Sequence, residues 1–264
     1  MAPGFPPTNP VNTMRDPHDI RIFVHTFSKT GTTSFADSAQ ACYSDDPGYT
    51  YVAHSHREGC WHKHVPGIAR DFSIPRLIRE QITKPIVVQL FRNPVDRMLS
   101  DYIHQRQIST QAPPCTPINM ADLSSFLQRT NWGSCDATLP YYEATFGYRL
   151  SDLRFDHAAH GCVIHREHFV LVITTLEHQQ HWRELLMRAA PNDVCLRKFK
   201  VRQSNVRSRQ VVVLPPECID RILAQNKRCL RFFYTEAQVQ CMHVTGDKYI
   251  RSSSTEPSHA VFDH

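Results

Sequence analysis

The chain has 264 residues, a formal net charge of +5, 41% hydrophobic residues and 10% aromatic residues. That length fits one large domain or two small ones, and the apolar fraction supports a real core. The charge suits an anionic ligand but is too weak to argue for nucleic acid, and no apolar stretch reaches the roughly 18 residues of a membrane span.

Residues 1–18 are rich in proline and polar side chains and read as a disordered tail, without the apolar core of a signal peptide. The apolar run Ile20–Phe27 follows and predicts a buried strand. Ser34–Cys42 predicts a helix, and Tyr49–His54 a weaker strand. Pro85–Phe91 is a second buried strand, continued by a helix over Pro94–Gln107. The segment Ile108–Ile118 holds three prolines and reads as a loop, before a helix over Met120–Arg129. His168–Thr174 is a third strand, and helices are predicted over Leu176–Ala189 and Pro216–Phe233. In the last of these Asn226 interrupts the apolar stripe. Residues 246–264 read as a second tail, which leaves one domain over 19–245. Alternating strands and helices argue for an α/β domain with a mostly parallel sheet.

The nine cysteines have no CxxC spacing, so a zinc ribbon is not expected. Their odd number leaves at least one thiol unpaired in a monomer. A secretory protein with a few disulfides and a reduced cytosolic protein both fit this usage.

Two stretches carry candidate chemistry. The first, Phe27–Phe35, is a small polar loop between a strand and a helix. Free N–H groups of a first helical turn bind anions, and the helix dipole favours the negative charge. Gly31 permits close backbone approach, Lys29 adds a cation, and Thr30, Thr32, Thr33 and Ser34 add hydroxyls. This is not a Walker A loop, because the lysine precedes the loop's one glycine. In the second stretch, Lys84–Tyr102, a buried strand ends on Arg92, and Ser100 lies two turns into the helix that follows. An arginine fork beyond the carboxyl end of a strand suits a phosphate monoester.

Lys29-Thr30-Gly31-Thr32-Thr33-Ser34-Phe35 resembles the 5′-phosphosulfate loop of sulfotransferases that use 3′-phosphoadenosine-5′-phosphosulfate (PAPS). Phe91-Arg92-Asn93-Pro94-Val95-Asp96-Arg97-Met98-Leu99-Ser100-Asp101-Tyr102 resembles their 3′-phosphate motif, in the family's order. Between them, Cys60-Trp61-His62-Lys63-His64-Val65 is similar to the aromatic-His-x-His-Val segment of heparan sulfate and uronyl 2-O-sulfotransferases. The resemblance implies a P-loop-like three-layer fold and transfer of a sulfuryl group from PAPS to a glycan hydroxyl. The expected hydroxyl is a uronic acid 2-O position. It implies His64 as catalytic base, His62 in support, and Lys29 as both catalytic and cofactor-binding; Glu58 is a minor alternative base. The cofactor set would be Lys29, Thr30, Gly31, Thr32, Thr33, Ser34, Arg92 and Ser100. Arg207 joins it from the basic loop Ser204–Arg209, which is similar to one that closes over the 3′-phosphate and adenine.

Two further stretches resemble the family: Leu139-Pro140-Tyr141-Tyr142, and Phe169–Glu177 ahead of a helix behind the cofactor. The family's heparan-binding members are strongly basic after the 3′-phosphate helix, whereas Gln107–Pro114 is neutral. That implies a less charged acceptor. No metal is expected, since Lys29 can neutralise the leaving phosphate. The expected partner is a glycan acceptor, with no nucleic acid; membrane attachment would need an anchor outside this sequence. The resemblance implies the Golgi lumen, while the absence of a signal peptide in this sequence keeps a cytoplasmic location open. A P-loop nucleotide kinase or NTPase and a non-catalytic nucleotide- or glycan-binding member are the alternatives.

Overall fold

The structure is a computed structural model, and it describes residues 20–43, 52–56, 74–110, 119–129, 134–201 and 214–245. Among the described residues five strands form one sheet: β1 (Ile22–His25), β2 (Val52–Ser55), β3 (Ile86–Phe91), β4 (Gly161–His165) and β5 (Val170–Thr175). Their order is β2-β1-β3-β5-β4. The first four are mutually parallel, and β4 runs antiparallel along the far edge. The sheet is therefore mostly parallel and flanked by helices, as the alternation of strands and helices predicted.

Strand alternation divides the core in two. Ile22, Val24, Val52, Ile86, Val88, Leu90, Val170 and Val172 face one side. There they meet Phe35, Ala36 and Ala39 of α1 (Thr32–Cys42) and Trp182, Leu185 and Leu186 of a helix over Trp182–Ala189. Phe23, Ala53, Val87, Phe91, Leu171 and Ile173 face the other side, against the remaining helices. Both faces are buried, which is why β1, β3 and β5 are mostly apolar without a polar alternation.

The helices on that second side are α2 (Ile74–Arg79), α3 (Pro94–Thr110), α4 (Met120–Arg129) and α5 (Cys135–Phe146). They are followed by α6 (Trp182–Ala189, on the first side) and by α7 (Pro216–Ala224), α8 (Lys227–Phe233) and α9 (Glu236–Thr245). Two predicted helices are each divided. Leu176–His181 is a 3₁₀ turn with non-helical torsions at His178, and α6 starts only at Trp182. The helix predicted over Pro216–Phe233 breaks at Gln225 and Asn226 into α7 and α8. Elements α2, α5, α9 and β4 were not predicted. In α5 the interior Pro140 masks a helix whose start is capped by the Ser134 hydroxyl. Among the described residues no helix is long and apolar enough to cross a membrane.

Candidate functional site

The loop from Phe27 to Gly31 joins β1 to α1 at the carboxyl edge of the sheet. Two of its residues are left-handed: Lys29 at φ 63° and Gly31 at φ 83°. For lysine that conformation costs about 1–2 kcal/mol, so the surrounding structure must hold it. Thr30 and Thr32, both buried, do so. Thr30 Oγ1 donates to the Phe27 carbonyl at 2.8 Å, and Thr32 Oγ1 reaches the same oxygen at 3.4 Å. These two hydroxyls are turned inward and shape the loop. Thr33 is exposed, and Lys29 and Ser34 are half-buried. Gly31 occupies the N-cap of α1 with no side chain to close the helix end, and no acidic residue lies in the first turn. A β-carbon at Gly31 would collide with Leu176 Cδ1, so the loop is packed from behind by the residue that follows β5.

The second predicted anion site converges on the first. Arg92 follows β3, the strand beside β1, and its Nη1 donates to the Lys29 carbonyl at 3.3 Å. The next residue, Asn93, caps α3: its Oδ1 accepts the Val95 N–H at 2.9 Å. Its own N–H donates to Glu177 Oε1 at 2.7 Å, and Glu177 Oε2 accepts from the Tyr234 hydroxyl at 3.1 Å. Glu177 as a whole is exposed, but its carboxyl is packed among these groups. Desolvation raises its pKa, against the opposing pull of the Asn93 N–H and Arg92. Ser100 lies in α3 and is half-buried. His62, His64 and Arg207 lie outside the described residues, as do Glu58 and the rest of Ser204–Arg209.

Beside the loop is a polar cluster that sequence reasoning passed over. His25 ends β1 at 1% exposure. Its Nδ1 lies 2.6 Å from Ser55 Oγ and its Nε2 3.2 Å from the Tyr141 hydroxyl. Rings of Tyr141, Tyr142 and Phe146 of α5 enclose it. Burial, then the neighbouring His56, lowers its pKa to about 3, so His25 is a neutral hydrogen-bonding strut. His56 Nδ1 donates to the Thr26 carbonyl at 2.9 Å, and the Tyr142 hydroxyl donates to the His56 carbonyl at 2.8 Å. The chain thus leaves β2 pinned against the base of the loop. The segment Leu139–Tyr142, noted for its resemblance, is what supplies both tyrosines. The one signal for His25 was a histidine within the run read as a buried strand.

No protein-family model matches this chain, and no curated protein matches it.

Proposed function

We propose that this chain is a PAPS-dependent O-sulfotransferase acting on a hydroxyl of a glycan acceptor, built on a P-loop-like core. The observation that supports this best is the Arg92 guanidinium on the Lys29 carbonyl. Two segments that separately suit a 5′-phosphosulfate and a 3′-phosphate meet at the carboxyl ends of adjacent parallel strands. Ligands of open α/β sheets bind at that edge. The left-handed torsions at Lys29 and Gly31 and the open first turn of α1 fit an anion held by backbone N–H groups.

In this reading, N–H groups of Thr32 to Ser34 and the Lys29 ammonium hold the donor's 5′ end. They stabilise the charge that develops on the oxygen leaving sulfur. Arg92 and Ser100 hold the 3′-phosphate, whose absence from other nucleotides gives selectivity. Glu177 keeps α3 in register with the loop by accepting the Asn93 N–H. The acceptor oxygen forms its bond to sulfur as the bond from sulfur to the phosphate oxygen breaks. The resemblance assigns the acceptor's proton to His64, with His62 in support. An imidazole suits that role because its ordinary pKa, about 6.5, lies near working pH. The neutral Gln107–Pro114 favours an acceptor less anionic than heparan.

The test is radiolabelled sulfate transfer from PAPS across a glycan panel, with nucleotide affinity measured in parallel by calorimetry. The wild type is expected to label at least one acceptor. His64→Ala is expected to lose about 10²–10⁴-fold in kcat with nucleotide affinity nearly unchanged. Lys29→Ala should lose both affinity and rate. Nucleotide binding without transfer to any acceptor would identify a non-catalytic binding member. Transfer that survives in His64→Ala but fails in His62→Ala or Glu58→Ala would move the base.

A further inference from the structure

The N-termini of α5 and α8 are lashed together by reciprocal caps. The Asp136 carboxylate of α5 accepts the N–H groups of Arg228 and Cys229 at 2.7 and 2.9 Å. Asn226, just before α8, returns the contact: its Oδ1 accepts the Cys135 N–H at 2.7 Å. Ser134 Oγ donates to the Gln225 carbonyl at 2.5 Å, and Arg228 Nη2 donates to both oxygens of Glu143 at 2.8 and 3.1 Å. At the centre of this clasp stand two cysteines, Cys135 at 2% and Cys229 at 5% exposure, both free thiols here. Asp136, the residue after Cys135, holds the Cys229 N–H, and Asn226, three residues before Cys229, holds the Cys135 N–H, so the two cysteines are neighbours across the helix pair.

We propose that Cys135 and Cys229 are a disulfide-forming pair that staples α5 to α8 when the chain meets an oxidising compartment. The two residues lie far apart in sequence, and no spacing motif links them. Tertiary packing alone brings the thiols within reach, and caps on both partners' main-chain N–H groups hold their backbones in register.

The chemistry assigns distinct roles to the two sulfurs. Cys135 is the first residue of α5 and lies beside Arg97. The hydrogen bond from Cys229, and then Arg97, hold its thiol below the ordinary cysteine range against the opposing effect of burial. Cys229 is held well above that range by the same hydrogen bond and by burial. A thiol on the first residue of a helix ionises more readily than one further along, which makes Cys135 the attacking thiolate. It displaces one thiolate from a low-molecular-weight disulfide such as oxidised glutathione and forms a mixed disulfide. Cys229 then gives up its proton, attacks the Cys135 sulfur and releases the second thiol. Two electrons pass to the oxidant and one protein disulfide forms. Because both thiols are buried, the exchange belongs to folding or to local opening of the short helix α8.

The test is refolding from denaturant in a glutathione redox buffer, followed by alkylation in denaturant, non-reducing digestion and mass spectrometry. A linked pair of peptides holding Cys135 and Cys229 is expected, lighter by two hydrogens than the separate peptides and lost on reduction. Full alkylation of both residues, or pairing of either with another cysteine, would overturn the proposal. A second measurement is the melting temperature with and without dithiothreitol. Reduction should lower it by roughly 5–15 °C. Cys135→Ala and Cys229→Ala should each abolish that difference, and the double variant should add nothing. A dithiothreitol-dependent shift that persists in either single variant would sink the pairing; if a variant does not fold, the wild-type peptide map decides.

Discussion

His25 is the residue on which the β1 end of the site is built. It joins Ser55 of β2 to Tyr141 of α5, and it does so uncharged, because burial pulls its pKa to about 3. The unfolded chain restores the ordinary value near 6.5. As pH falls below 6.5 the unfolded state takes up the proton while the folded state does not, so stability present at neutral pH is lost. The loss continues until pH approaches the folded value. Between pH 7 and pH 5 this one residue should remove about 2 kcal/mol of unfolding free energy. Denaturant titration of the wild type and His25→Gln at both pH values checks it. The wild type should fall by that much more than the variant, and parallel losses would show that His25 does not carry the dependence. The same scale explains a limit of sequence reading. Thr30 and Thr32 looked like Thr33, a hydroxyl in the loop around Gly31; only the fold separates the inward pair from the exposed one.

At the scale of elements, the sequence marked periodicity well and breaks poorly. The stripe Ile219, Ile222, Leu223, Leu230 and Phe233 is buried as expected, yet it belongs to two helices. The interruption at Asn226 is the hinge between them. That side chain is 1% exposed and bonded at both ends: Oδ1 takes the Cys135 N–H, and Nδ2 donates to the Ile222 carbonyl at 2.7 Å. Leucine there would complete an apolar stripe but would orphan a buried N–H. Asn226→Ala should cost about 1–3 kcal/mol by leaving that N–H and a helix-end carbonyl unsatisfied. Chemical denaturation measures it, and a loss under a few tenths of a kcal/mol would mean the joint is not held by Asn226. The break after β5 has a comparable origin. Leu176 turns to pack on Gly31 and Glu177 turns to Asn93, and His178 bends to reach Thr175 Oγ1 at 2.8 Å. A continuous helix from Leu176 would forgo those contacts.

For the whole molecule, the sheet order sets what a ligand can stabilise. A bisphosphate that engages the β1 loop and Arg92 together ties two adjacent strands and the helices that follow them. On the proposed reading, 3′,5′-adenosine bisphosphate at about 100 times its Kd should add roughly 2.7 kcal/mol and raise the melting temperature by about 5–10 °C. AMP at the same concentration should do much less, and Arg92→Ala should narrow the difference. Equal shifts from both nucleotides would remove the 3′-phosphate assignment. The α/β class, all four parallel strands (β2 by the weakest signal) and the two anion-suited segments were legible in the sequence. Those features depend on local composition: an apolar run long enough for a buried strand, then glycine, lysine and hydroxyls, or arginine and proline, at its end. What only the tertiary structure decided is which of these segments meet. Strand order brings Arg92 to Lys29, and helix packing brings α5 over His25 and Cys135 beside Cys229. Each meeting joins residues distant along the chain, and periodicity records which face of an element is buried but not which element covers it.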